Sequence, residues 1–282
     1  MRNLKLESPR MTGADVEDWQ TFLTLHANYR DVIDGVFGPN TARATRVYQT
    51  GAGLPVDGVV GPATFSRAVL DGFQSATRAI EAGLDASVDC TLFAAGIAAE
   101  GIRFVARYYS RVAAKTLNPA EAKALCAAGL RLVTVYQDSQ NDVKFFSEAQ
   151  GVAAAERALA LAGAVGQPED SAIYFAADFD PSPTEVRGPV VEYFQAVSQT
   201  FRSATTRYAI GVYGSGLTCR LIRDAGLAQF AWLSGSTGFR ESMGFRPRAH
   251  LIQAAPSRKI CGGKLAIDDD VAQTGEYGAF TV

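Results

Sequence analysis

The sequence predicts an α/β protein: a (β/α)8 TIM-barrel-like domain preceded by a small all-α three-helix domain. Three observations predict it. An eight-residue segment near the N-terminus recurs 23 residues later, and each copy opens a helix. From residue 82 onward, short apolar segments alternate with helical ones for about 200 residues. Asp, Tyr and Gln close many of those apolar segments, where a barrel of this type keeps its chemistry.

The 282 residues allow one or two domains. A net charge of −2 argues against a nucleic-acid partner, which calls for a basic excess. Only two histidines are present, His26 and His250, too few for the usual zinc hydrolase sites. No metal and no cofactor are therefore expected, and acid–base work falls to the 17 Asp and 12 Glu. Cys90, Cys126, Cys219 and Cys261 are scattered, with no C-x-x-C pair, and read as reduced thiols. No apolar run reaches membrane-spanning length, so membrane insertion is not expected. The first residues lack a signal-type apolar run. The expectation is a monomer made in the cytoplasm and released by another system.

The first 72 residues read as three helices. Val16, Trp19, Phe22 and Leu23 put an apolar stripe on Ala14–Ala27. Asp34-Gly35-Val36-Phe37-Gly38-Pro39-Asn40-Thr41 returns as Asp57-Gly58-Val59-Val60-Gly61-Pro62-Ala63-Thr64. Asp-Gly makes a tight turn, and Gly-Pro sets proline at the first helical position. Helices are predicted over Pro39–Gln49 and Pro62–Leu70. This doubled cassette resembles the three-helix peptidoglycan-binding domains. The resemblance implies a wall-binding module, with Asp34, Phe37, Gly38, Asp57 and Gly61 as its signature residues. Residues 73–81 read as a partly helical linker.

The predicted strands are Gly83–Val88, Arg103–Tyr109, Arg131–Gln137, Ala172–Asp178, Tyr208–Tyr213, Phe230–Ser234, His250–Ala254 and Lys264–Val271. Several are continuous apolar runs, as parallel strands covered on both faces require. Ala120–Ala128, Gln150–Val165, Pro189–Ala204 and Leu217–Ala225 read as helices between them. Two hundred residues is short for such a barrel, so some helices should be reduced.

Asp85, Asp178 and Asp180 are the candidate catalytic carboxylates. Asp178 and Asp180 are two apart, so in extended chain both would face the mouth. Close carboxylates divide into a protonated and an ionised member, the division glycoside hydrolysis uses. Tyr108, Tyr136, Asp138, Tyr213, Trp232, Gln253, Asp268 and Asp270 are candidate substrate-binding residues. Aromatic rings stack on sugar C–H faces, while amides and carboxylates bind hydroxyls.

Gly83-Leu84-Asp85-Ala86-Ser87, Asp178-Phe179-Asp180, Gly211-Val212-Tyr213-Gly214-Ser215 and Ile267-Asp268-Asp269-Asp270 resemble the family 25 lysozyme barrels. They look closer still to a sister group of glycoside-hydrolase-like domains. The resemblance implies a muramidase that cuts between N-acetylmuramic acid and N-acetylglucosamine. In the lysozymes a Glu stands where this chain has Asp180. Bacterial peptidoglycan is the implied partner, and the two-part architecture resembles a phage endolysin released by a holin. Two alternatives stay open: a glycan-binding protein with a degenerate hydrolase barrel, and a wall amidase or endopeptidase.

Overall fold

The computed structural model describes residues 1–75 and 80–282, with the backbone alone at 255 and 256. The N-terminal helices are α1 (Ala14–His26), α2 (Pro39–Gly51) and α3 (Pro62–Leu70). Pro39 and Pro62 stand at the first turns, and Gly38 and Gly61 are the N-caps, as the cassette predicts. Trp19, Phe22, Tyr48, Phe65 and Phe73 form the aromatic core, and Trp19 Nε1 donates to Thr45 Oγ1 at 3.0 Å. A glutamine clamps each copy of the cassette. Gln20 Nε2 donates to Asp34 Oδ1 and Val36 O, and its Oε1 accepts from the Gly35 N–H. Gln49 repeats this with Asp57 Oδ1, Val59 O and the Gly58 N–H. The duplication is therefore a duplicated hydrogen-bond unit.

The barrel strands are β1 (Glu81–Asp85), β2 (Phe104–Tyr109), β3 (Arg131–Tyr136), β4 (Ala172–Ala177), β5 (Ala209–Gly214), β6 (Phe230–Leu233), β7 (Leu251–Ile260) and β8 (Leu265–Ala272). They close in sequence order into one barrel. The outer helices are α4 (Ala94–Ala99), α5 (Pro119–Ala127), α6 (Glu148–Val165), the single turn α7 (Pro183–Glu185), α8 (Val191–Ser203), α9 (Gly216–Asp224) and the short α10 (Ser242–Phe245). The fold departs from eight parallel strands at its end, because β8 is antiparallel to both β7 and β1. Only four residues, 261–264, join β7 to β8. A parallel return needs a crossover of a dozen residues or more. The expected linker lies partly outside the described residues, at 76–79; Phe73 is buried in the helical core, and Glu81 opens β1.

Period-two alternation sorts the side chains. Phe104, Val133, Val135, Tyr174, Trp232 and Tyr277 fill the barrel interior. Gly83 and Gly211 make room for them: a Cβ at Gly83 would lie 2.1 Å from the Phe104 ring, and one at Gly211 2.3 Å from Tyr174. Outward residues pack under the helices. There the fully buried Arg107 on β2 meets Glu121 on α5, with Nε–Oε1 at 2.6 Å. Arg107 also donates to Ala86 O, and Glu121 accepts from the Cys90 N–H, so the pair fastens the β1–α4 loop.

No crossover helix separates β7 from β8, and α3 packs over this face, against β7, β8 and β1. Val271 of β8 belongs to the helical core, Val69 packs against both cores, and Leu70 packs against the barrel's outer core. Arg246, 2% exposed, donates to the Asn3 side chain, and its guanidinium lies 5.9 Å from the centre of the Phe65 ring. The three-helix region thus completes the barrel's outer layer.

Candidate active site

The mouth lies where β1 to β6 end. It holds a cavity of about 430 Å³ lined by Tyr108, Gln137, Asp178, Tyr213, Trp232, Gln253 and Asp268, among others. Six of these are residues the sequence singled out. β4 and β8 are four strands apart in an eight-stranded ring, so Asp178 and Asp268 face each other across the opening. Asp178 follows the last residue of β4, where its backbone N–H donates to Gln140 O and its Oδ2 accepts from Gln137 Nε2 at 2.9 Å.

Asp85 lies just beneath the cavity floor, 3% exposed. Its Oδ1 accepts from Tyr108 Oη and its Oδ2 from Gln253 Nε2, both at 2.7 Å. Gln253 Oε1 accepts in turn from Tyr213 Oη at 2.9 Å and the Gly235 N–H at 3.2 Å. Asp85 therefore orders three lining side chains. Burial pushes its pKa up to about 6, and the neighbouring Asp268 charge adds to the rise against the Tyr108 and Gln253 hydrogen bonds. Asp268 is its direct cross-strand partner on β8.

Four placements correct the sequence reading. Asp180 does not face the cavity. The strand ends at Ala177, so two-residue alternation no longer holds at 180, and Asp180 accepts from the Arg240 N–H at 2.8 Å and Nη1 at 2.7 Å. Phe179 does turn to the helix layer, 5.5 Å from Phe146. Tyr136 and Asp138 fall on the outer side. Tyr136 is out of phase with the inward Val133 and Val135, lies tilted against Phe175 with ring centres 5.9 Å apart, and donates to Asp138 Oδ2 at 2.5 Å. Asp138 is half-buried, which raises its pKa. Hydrogen bonds from the Arg111 N–H, Tyr136 and Ser110 outweigh this and hold it below the ordinary value. Asp270 lies below the floor, fully buried, accepting from Trp232 Nε1 at 2.9 Å. Burial, then the Asp85 charge, pushes its pKa well above the carboxylate range.

The residues named for the helical module are architectural. Phe37 is fully buried, Gly38 and Gly61 are caps, and the Asp34 and Asp57 carboxylates are held by the glutamine clamps. Two mouth residues lie outside the candidate set, although Gln137 closes the third predicted strand. Gln137 continues the inward phase of β3, so period two carried the signal. Lys115 sits in a loop with no periodicity. Its Nζ donates to Gln137 Oε1 at 3.0 Å and lies 3.9 Å from the centre of the Tyr108 ring. His250 is remote from this chemistry: its Nδ1 accepts from the Ala231 N–H, and burial lowers its pKa to about 4.

Residues 95–272 match the family model of the Rv2525c-like, glycoside hydrolase-like domain, and residues 12–67 match a putative peptidoglycan binding domain. The uncharacterized protein YbfG of Bacillus subtilis (strain 168) is 30% identical over 226 residues, 76% of this chain and 31% of YbfG. The uncharacterized protein FadG of the same strain is 24% identical over 264 residues, 90% of this chain and 46% of FadG. The chain thus spans less than half the length of these curated relatives. Among solved structures, the Mycobacterium tuberculosis Tat-secreted protein Rv2525c superposes with a TM-score of 0.59 at 24% identity, covering 71% of this chain and 98% of that one. The modular autolysin LytC of Streptococcus pneumoniae, in complex with a synthetic peptidoglycan ligand, gives 0.50 at 13% identity, covering 72% and 48%. At these identities the two structures share the fold. More than half of the chain falls within the first family match, and the protein belongs to the Rv2525c-like, glycoside hydrolase-like family, joined here to an N-terminal peptidoglycan-binding domain.

Proposed function

We propose that the protein hydrolyses the glycan strand of bacterial peptidoglycan, with residues 1–72 engaging the wall and residues 82–282 carrying the cleavage. The supporting observation is the pair Asp178 and Asp268 on opposite sides of an aromatic-lined mouth. In this reading Asp268 gives a proton to the leaving glycosidic oxygen as the C1–O bond breaks. Asp178 stabilises the positive charge that develops at the ring carbon. Water adds to C1, and its proton returns to Asp268. Asp85 is a positioning residue: it holds Tyr108 and Gln253 and stands opposite Asp268 across the β1–β8 pair. Lys115 and Gln137 order Asp178 from the other side.

A second reading is a wall-binding protein that does not cut. It is favoured by Asp180, which occupies the lysozymes' acid position but is bound by Arg240. Mass spectrometry of digested peptidoglycan separates the two. The hydrolase reading expects new reducing ends, lost in both Asp178→Asn and Asp268→Asn while circular dichroism is kept. No products from the wild-type chain would leave the binding reading. Free stem peptides would point to amide cleavage and overturn both.

The expected holin-type release from the cytoplasm is corrected. Rv2525c, to which the barrel is similar, is a Tat-secreted protein, which supports signal-dependent export in place of a holin route.

A further inference from the structure

Two cavities share a wall. Gly235 lines both the barrel mouth and a smaller groove of about 200 Å³, with Ser236 facing the mouth and Thr237 the groove. The opposite side of the groove is the second cassette, through Pro55, Asp57, Val59, Pro62 and Ala63. The shared loop is braced at both ends. The Gly235 N–H donates to Gln253, and Arg240 is tied to Asp180. The cassette is held in place by the packing of α3 on β7, β8 and β1 and by the buried Arg246. Packing, and not linker length, therefore fixes the spacing between groove and mouth.

The groove's chemistry selects its occupant. Its lining residues include no basic side chain. Asp57 Oδ1 already accepts from Gln49 Nε2 and the Val59 N–H. Thr64 also lines the groove, but its Oγ1 accepts from Gln49 Nε2 and donates to Val59 O, so the surface left is Pro55, Val59, Pro62 and Ala63 with the exposed Thr237. Apolar faces beside one hydroxyl suit the C–H face of a neutral sugar ring. An acidic stem peptide would meet the Asp57 carboxylate, since Arg46, whose Nη2 donates to Asp57 O at 3.4 Å, is not part of the lining.

We propose that this groove is a second saccharide subsite, and that one glycan strand occupies the barrel mouth and the groove together. The inference rests on the reading of the mouth as a glycan site. It makes the helical module part of one extended cleft, where a strand bound at the mouth meets the groove at high effective concentration. The test is isothermal titration of the full-length chain with a disaccharide and a hexasaccharide of peptidoglycan glycan, the same samples being checked for cleavage by mass spectrometry. The expected result is a hexasaccharide preference of about tenfold or more. Ala63→Trp and Thr237→Trp, placed on opposite walls of the groove, should each reduce that preference to about twofold or less. Two variants separate filling of the groove from a local folding defect, which circular dichroism would report. If the disaccharide binds and length adds nothing, or both variants keep the preference, the subsite is overturned while the mouth assignment stands. If neither sugar binds, the glycan reading of the mouth fails, and the subsite with it.

Discussion

Replacing Asp85 by Asn gives a stability difference that depends on pH in a defined direction. Asp85 is 3% exposed, and burial raises its pKa from an ordinary 3.8 to about 6. The folded state therefore binds this proton more tightly than the unfolded chain does. Below about pH 4 the group is protonated in both states and exerts no penalty. Between about pH 4 and 6 the unfolded chain ionises while the buried group keeps its proton, so stability falls across that window, and the loss is complete once the folded group ionises above 6. At 1.36 kcal/mol per pH unit the wild-type chain loses about 3 kcal/mol from this group between pH 4 and 7.5. Asn carries no such charge. It also meets Gln253 Nε2 with a donor in place of an acceptor, a constant loss of about 1–3 kcal/mol. The two effects separate because only the first varies with pH. Urea unfolding, followed by the fluorescence of the buried Trp19 and Trp232, gives the difference at each pH. The variant should gain about 3 kcal/mol on the wild type between pH 4 and 7.5. A flat difference, or one of opposite slope, would refute the assignment of a strained buried carboxylate to the floor of this site.

Three further outcomes are expected. Gln49→Ala removes the clamp on the second cassette and strands the buried Gly58 N–H, so it should destabilise the protein by about 1–3 kcal/mol in urea unfolding, with Gln20→Ala similar at the first. Removing residues 1–72 uncovers Val271 and the outer face of β7 and β8, so the shortened chain should lose Tm and bind a hydrophobic dye, a larger effect than the loss of wall binding alone. Arg240→Ala frees Asp180 and loosens the loop that carries Gly235. It should raise KM for glycan more than it lowers kcat, with a near-unchanged circular dichroism spectrum.

The legible part of this fold was the part governed by local periodicity. Apolar runs marked all eight strands to within a few residues, except that β7 continues well past the predicted Ala254. Gly-Pro placed two helix starts. What failed did so for identifiable reasons. Alternation pairs Asp180 with Asp178, but the strand stops at Ala177 and the following chain obeys Arg240 instead. Tyr136 and Asp138 stand at a strand end, but the phase of Val133 and Val135 points inward at Gln137 and not at Tyr136. The direction of β8 is hidden because the apolar run of β7 stops at Ala254 while the strand continues to Ile260, so the tight turn to β8 does not show; the place of Lys115 above Tyr108 depends on a loop path that no local pattern encodes. The packing of α3 on the barrel is a non-local fact of the same kind. Only the three-dimensional assembly reveals that Val271 belongs to the helical core.

The antiparallel closure also makes the rim unequal in stiffness. Beyond the level of Asp85, Arg258, Lys259 and Ile260 on β7 still pair with Ile267, Ala266 and Leu265 on β8, and Arg258 is ion-paired to Asp269 at 2.6 Å. On that side the chain overhangs the opening as a hydrogen-bonded ribbon. The facing side is bounded by the irregular segments after β2 and β3. An incoming polymer meets one wall built from backbone pairing and one built from side-chain hydrogen bonds such as Lys115–Gln137 and Arg111–Asp138, so the shape of the second wall depends on sequence at residues 110–118 and 137–147 far more than that of the first.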